Sequence, residues 1–262
     1  MNFKEVFSVE KPILAMLHLK GDSRRDILER AKREADLLFD CGADAVIVED
    51  YFGSEEDVEA VLQWLQRERP HYLYGVNVLD QLAKTYELAW RYGAKFMQVD
   101  SVCGHLAPEE DTEYEQECRA LYERDAVLIL GGVRFKHKEV LSGRSLEEDL
   151  RLGMRRCHGI VVTGVGTGIH TELEKIKEFR SIMGDFPLVV GAGLTAETAA
   201  EQLSIGDGGI VGSCLKEGRM AQGDVSRENT LEFMAAVKAL REFGTECGKG
   251  ENQDRDENRR KE

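Results

Sequence analysis

Aromatic residues make up only 7% of this 262-residue chain, and it contains 4 prolines against 26 glycines. That balance argues against Pro-rich disorder and for tight turns or backbone-lined sites. A basic surface is also missing: 35 Lys+Arg stand against 49 Asp+Glu, a net charge of −14. Duplex nucleic acid needs a cationic face to neutralise its phosphates, and an anionic membrane surface needs one too, so neither partner is expected. The apolar run near the start, Ile13 to Leu17, ends at His18, and nothing approaches the roughly 18–20 apolar residues of a membrane span. Glu5 and Glu10 stand where a signal peptide would be basic. The six cysteines occur singly, with no CxxC pair and no zinc-finger spacing. Together these absences predict a reduced, cytoplasmic protein with no integral membrane segment.

With 42% hydrophobic residues the chain can bury a sizeable core. Apolar stretches of strand length fall at 12–19, 44–49, 72–79, 96–99, 126–135, 159–163, 187–190 and 209–211. Each is apolar on both faces, as parallel strands covered by helices are. Segments of helical period lie between them, at 23–39, 55–68, 81–92, 112–124, 145–156, 171–183 and 196–203, and a last one runs from about 227 to 243. Ser54, Ser145 and Thr195 each precede an acidic first turn, as helix caps do. Gly42-Ala43-Asp44 and Gly93-Ala94-Lys95 repeat one helix-stop, strand-start pattern. Eight strand-helix units without a linker predict a single-domain α/β (β/α)8 TIM barrel over residues 1–243. Residues 244–262, dense in charge and poor in apolar groups, are expected to form a disordered tail.

In such a barrel the C-terminal strand ends and the loops after them carry the site. Polar residues gather there. The first strand ends in His18, the second in Glu49-Asp50, the third near Asn77 and the fourth at Asp100-Ser101. The fifth runs into Arg134-Phe135-Lys136-His137. Small residues follow the last two strands, and Gly191, Gly193, Gly212 and Ser213 are expected to present backbone N–H groups to a phosphate. TGVGTG after strand six lacks GxGxxG spacing, so it is read as a ligand loop offering Thr163, Gly164, Thr167 and Gly168. Glu49, Asp100, Lys136, His18, Asn77 and His137 are the candidate catalytic groups. Buried carboxylates suit acid/base work, while a lysine among apolar residues serves as an anion binder or a Schiff-base amine. On a regular strand, Arg134 and Lys136 would share one face and Phe135 and His137 the other. No cofactor is expected. A divalent metal held by His18, Glu49, Asp100 and His137 is the alternative. Cys103, beside Gly104 and His105, is expected to pack rather than react, and the acidic runs 109–111 and 147–149 to be solvated helix starts.

The segments AMLHLKG, DAVIVEDYFG, YGVNVL, QVDSVCG, VRFKHKEV, GIVVTGVGTG, VVGAGLTAE and GGIVGSCLKEG resemble, in order, those of the BtpA family, the BtpA/SgcQ group of phosphate-binding-type TIM barrels. The resemblance implies the barrel. It also implies two kinds of role, since the family is named for photosystem I accumulation and other members sit among sugar-metabolism genes. Two departures stand out: Asp100 replaces an Asn, and a Pro-rich loop after the first strand is reduced to Lys20-Gly21-Asp22.

The expected function is that of an enzyme acting on a small phosphorylated metabolite, a sugar phosphate or a nucleotide-derived phosphate, by isomerase, lyase or N-glycosidic cleavage chemistry. The alternative is a non-catalytic assembly or regulatory protein that uses the barrel to sense a ligand or bind a partner. Homo-oligomerisation is an expectation by analogy with barrels of this kind.

Overall fold

The computed structural model describes residues 1–259, and the side chains of residues 1–243. A short helix, α1 (Phe3–Val6), precedes eight strands: β1 (Ile13–His18), β2 (Ala45–Glu49), β3 (Tyr74–Asn77), β4 (Phe96–Cys103), β5 (Leu128–Val133), β6 (Gly159–Thr163), β7 (Leu188–Gly191) and β8 (Gly208–Val211). They pair in sequence order, all parallel, and β8 closes on β1 through Ile13↔Gly209 and Leu14↔Ile210. Between them run α2 (Arg24–Asp40), α3 (Glu55–Glu68), α4 (Leu82–Tyr92), α5 (Pro108–Tyr122), α6 (Leu146–Gly153), α7 (Leu173–Met183) and α8 (Ala196–Ile205), and α9 (Arg227–Arg259) follows. This is the TIM barrel that the alternation predicts. Among the described residues no helix is long and apolar enough to cross a membrane. The tail expected at 244–262 lies outside the described side chains, and 260–262 outside the described backbone.

Helix starts follow the sequence. Ser54 and Ser145 form capping boxes with Asp57 and Glu148, and Thr195 forms one with Thr198. Gly42 and Gly93 take φ of +96° and +71°, the left-handed stop after α2 and α4. Strand side chains alternate between two cores. Ala15, Leu17, Val46 and Val48 pack outward on the helices. Leu14, Met16, Ile47, Phe96, Leu130, Val161 and Val189 fill the barrel.

Three features depart from the sequence reading. First, α1 closes the bottom of the barrel: the Phe3 and Phe7 rings pack tilted at 4.8 Å, and Phe7 meets Phe96 edge-on at 5.2 Å. Its four residues show no periodicity, and its only local signal is the Asn2–Glu5 capping box. Second, the acidic runs are not wholly solvated. Asp111 and Asp149 are buried; Arg156 and Arg144 pair with Asp111 at 2.6 and 2.8 Å, and Arg134 and Arg144 pair with Asp149 at 2.8 and 2.9 Å. A network of this kind holds its carboxylates only while every arginine stays. Third, β4 continues to Cys103, past the predicted end at residue 99, with a register shift between Val99 and Cys103. Cys103 lies buried against Asp149, and burial pushes its thiol up to about 11, so it is protonated at neutral pH.

Candidate functional site

The inward parity of the strands delivers one polar side chain after another to the C-terminal mouth. His18, Glu49 and Asn77 are cross-strand partners at the ends of β1, β2 and β3. From β4, Gln98 and Asp100 stand two residues apart on the same face, and Thr163 and Gly191 pair at the ends of β6 and β7. A cavity of about 390 Å³ is lined by all of these except Asn77, which lines a side cavity of about 80 Å³.

Asn77 ties the floor together. Its Nδ2 donates to Glu49 Oε1 at 2.8 Å and to Asp100 Oδ1 at 3.0 Å. Gln98 Nε2 donates to the same Asp100 oxygen at 3.3 Å. Burial and the neighbouring Asp100 push Glu49 up to about 8, so it carries a proton at neutral pH. Asp100 is also raised, chiefly by burial. His18 moves the other way, down to about 3, through burial and the Lys216 charge. Its Nδ1 lies 3.4 Å from the Ala221 carbonyl, which fixes the N–H there. Nε2 is then an acceptor, 3.3 Å from Glu49 Oε2, and the Glu49 proton is the complementary donor. Tyr51 stacks on His18 at 4.8 Å.

On the far wall, Thr167 is a hub. Lys136 Nζ donates to its Oγ1 at 3.2 Å, His137 Nε2 lies 3.3 Å away and the Tyr51 hydroxyl 3.5 Å away. Burial lowers the Lys136 pKa, opposed by the charges of Glu49 and Asp100. The strand-face choice posed for 134–137 does not arise. Strand β5 stops at Val133, and positive φ at Arg134 (+48°) and His137 (+61°) breaks the alternation. Phe135, Lys136 and His137 all reach the cavity, and Arg134 swings outward to Asp149.

Gly191, Gly193, Gly212 and Ser213 line the side of the cavity formed by β7 and β8. Gly193 has φ of +70°, and a Cβ there would meet His170 backbone at 2.2 Å, so only glycine fits. A Cβ at Gly212 would find Met16 and His18 no nearer than 3.4 Å. Beyond Gly212 the chain turns into a single 3-10 turn, Ser213–Leu215. Thr163, Thr167 and Gly168 also line the cavity. Gly164 does not; it packs beneath the loop, where a Cβ would lie 2.7 Å from the His170 carbonyl. Asp50 turns outward and accepts the Leu79 N–H at 3.0 Å.

Three residues at the site escape sequence reasoning. Gln98 carries a signal that period-2 alternation with Asp100 makes readable. Lys216, only 1% exposed with Nζ donating to the Ala221 carbonyl at 3.1 Å, and Arg219, on the cavity edge, sit on an irregular segment after β8 with no periodicity to place them. Among the described residues no group of three or more His, Cys, Asp or Glu side chains is placed to hold a metal ion.

The fold and mouth define a TIM-barrel protein with a polar, glycine-walled cavity at its C-terminal face. The chain belongs to the BtpA family, whose model matches residues 9–239. It is 26% identical to the photosystem I biogenesis protein BtpA of Synechocystis, with 92% of each chain covered. It is 24% identical to the sgc region protein SgcQ of Escherichia coli, covering 91% of this chain and 98% of the relative. Among solved structures, phosphoribosyl anthranilate isomerase from Thermus thermophilus superposes with a TM-score of 0.59 at 16% identity, over 87% of this chain and 99% of that one. At that identity the likeness is one of fold.

Proposed function

We propose that this protein is an enzyme acting on a small phosphorylated metabolite, with the phosphate held by backbone N–H groups of the loops bearing Gly191, Gly193, Gly212 and Ser213. The observation that carries the reading is that these loops and a carboxyl pair bridged by Asn77 face one cavity. Glycine lets a backbone approach an anion closely, and N–H groups at a turn supply its positive field. The other end of the ligand then lies over Glu49 and Asp100.

There, protonated Glu49 acts as a general acid, and Asp100, when ionised, as a base for a proton on a neighbouring atom. Asn77 orients both carboxyls, and neutral His18 accepts the hydrogen bond of the Glu49 proton without taking the proton itself. Lys136, anchored on Thr167, stabilises negative charge that develops on the reacting oxygen. This set suits isomerase, lyase or N-glycosidic cleavage chemistry alike.

Gly212→Val is the test. The added Cβ comes into ordinary van der Waals contact with Met16 and His18, at 3.4 Å and beyond, and the unfolding midpoint of the unliganded protein is measured beside binding so that loss of fold is told apart from loss of the site. Calorimetric binding of inorganic phosphate and sugar phosphates should weaken at least about tenfold, since backbone donors are then shielded. Undiminished binding would refute the cradle. A second reading, a partner-binding scaffold, draws on the exposed Tyr51, Phe52, Val165, Ile169 and Met220 on loops of the same face and on the biogenesis role in the name of the Synechocystis relative. Ligand binding by the wild type without any turnover would favour it.

A further inference from the structure

The floor of the mouth has more acceptors than donors. Asn77 Nδ2 is committed to Glu49 and Asp100, and Gln98 Nε2 to Asp100. The Gln98 carbonyl oxygen, Oε1, is buried without a partner on a residue only 5% exposed. Buried carbonyls without partners are rare in folded proteins, because the lost hydration is not repaid. Gln98 stands in the wall between the main cavity and a side cavity of about 80 Å³. The cation nearest that side cavity, Lys138, is paired with Asp80 at 2.5 Å.

Position decides what should meet this oxygen. In the eight-stranded ring β4 lies across the barrel from β8. A ligand whose phosphate rests on the glycine loops therefore presents its far end to Gln98 and Asp100. The Gln98 amide and the Asp100 carboxylate lie side by side, joined by the 3.3 Å contact from Gln98 Nε2. Two adjacent acceptors are complemented by two adjacent donors, which neighbouring hydroxyls on a carbon chain provide. An apolar ester would leave both unmet.

We infer that the ligand is the phosphate ester of a vicinal diol, a sugar phosphate, and that Gln98 is the residue that selects its hydroxyls through Oε1. The inference rests on the phosphate reading above and adds the chemistry of the opposite end.

Titration calorimetry on the full chain separates the two. The probes are inorganic phosphate, ribose 5-phosphate against 2-deoxyribose 5-phosphate, and glucose 6-phosphate against 2-deoxyglucose 6-phosphate. At least one hydroxylated ester should bind about tenfold or more tightly than its deoxy partner, since a site built to bond a hydroxyl rejects the analogue lacking it. Gln98→Met should collapse that ratio to about twofold or less and leave inorganic phosphate binding unchanged. Gln98→Ala serves as the second variant should the methionine disturb folding. Equal binding of each pair, or a ratio that survives both substitutions, overturns the inference while the phosphate site stands. Failure of inorganic phosphate and every ester to bind would remove the phosphate reading itself, and the inference with it.

Discussion

Folding carries the Glu49 carboxyl from water into the barrel, where burial and Asp100 raise its pKa from 4.5 to about 8. Between those values the folded state keeps a proton that the unfolded state has released. Stability is therefore full below about pH 4.5 and falls as pH rises toward 8. Glu49→Gln removes the titration. Each tenfold difference in proton affinity between the folded and unfolded states is worth about 1.4 kcal/mol. At pH 9 the variant should therefore be more stable than wild type by a few kcal/mol, and the gap should close near pH 5. Urea unfolding across pH 5–9 measures it; parallel profiles would show that Glu49 titrates normally. His18 works in the opposite sense, its neutral form favoured in the folded state and its contribution lost as pH falls from 6.5 toward 3. Glu49 and Asn77 are legible in the sequence because their strands end at them, and Asp100 because it interrupts the apolar run of β4. Their hydrogen-bond order is not, since it depends on cross-strand register, and neither is the protonation that burial imposes. Lys216 is illegible for another reason: a buried lysine on an irregular segment resembles a surface one in sequence.

At the scale of elements, the strands and most helices are readable because each combines an apolar run or stripe with punctuation such as Ser54 or Gly93. Non-local partners decide the rest. Asp111 and Asp149 look like surface helix starts until Arg144 and Arg156 are brought onto them. The turn at Arg134 is set by its ion pair with Asp149 as well as by its own φ. Helix α1 is too short to be stable alone and is held by its contacts with the barrel floor. Phe7, 3% exposed and packed between Phe3 and Phe96, supplies much of that hold. Phe7→Ala should cost about 3–5 kcal/mol in denaturant unfolding, a cavity cost typical of buried phenylalanine. A loss below about 1 kcal/mol would mean that the N-terminal plug adds little to the barrel.

For the whole molecule, closure of eight parallel strands turns a linear order of strand ends into one ring of functional groups. That is why residues as far apart as Glu49 and Gly193 share a cavity. The most direct measurement is thermal unfolding of the wild-type chain with sugar phosphates, nucleotides and inorganic phosphate beside matched unphosphorylated compounds. A ligand at about one hundred times its dissociation constant adds about 2.7 kcal/mol, a rise of roughly 5–10 °C for a domain of this size. The proposed site requires that rise from a phosphorylated class and none from its unphosphorylated counterpart. An unmoved transition with every phosphorylated compound would reduce the glycine loops to turns and contradict the proposed function.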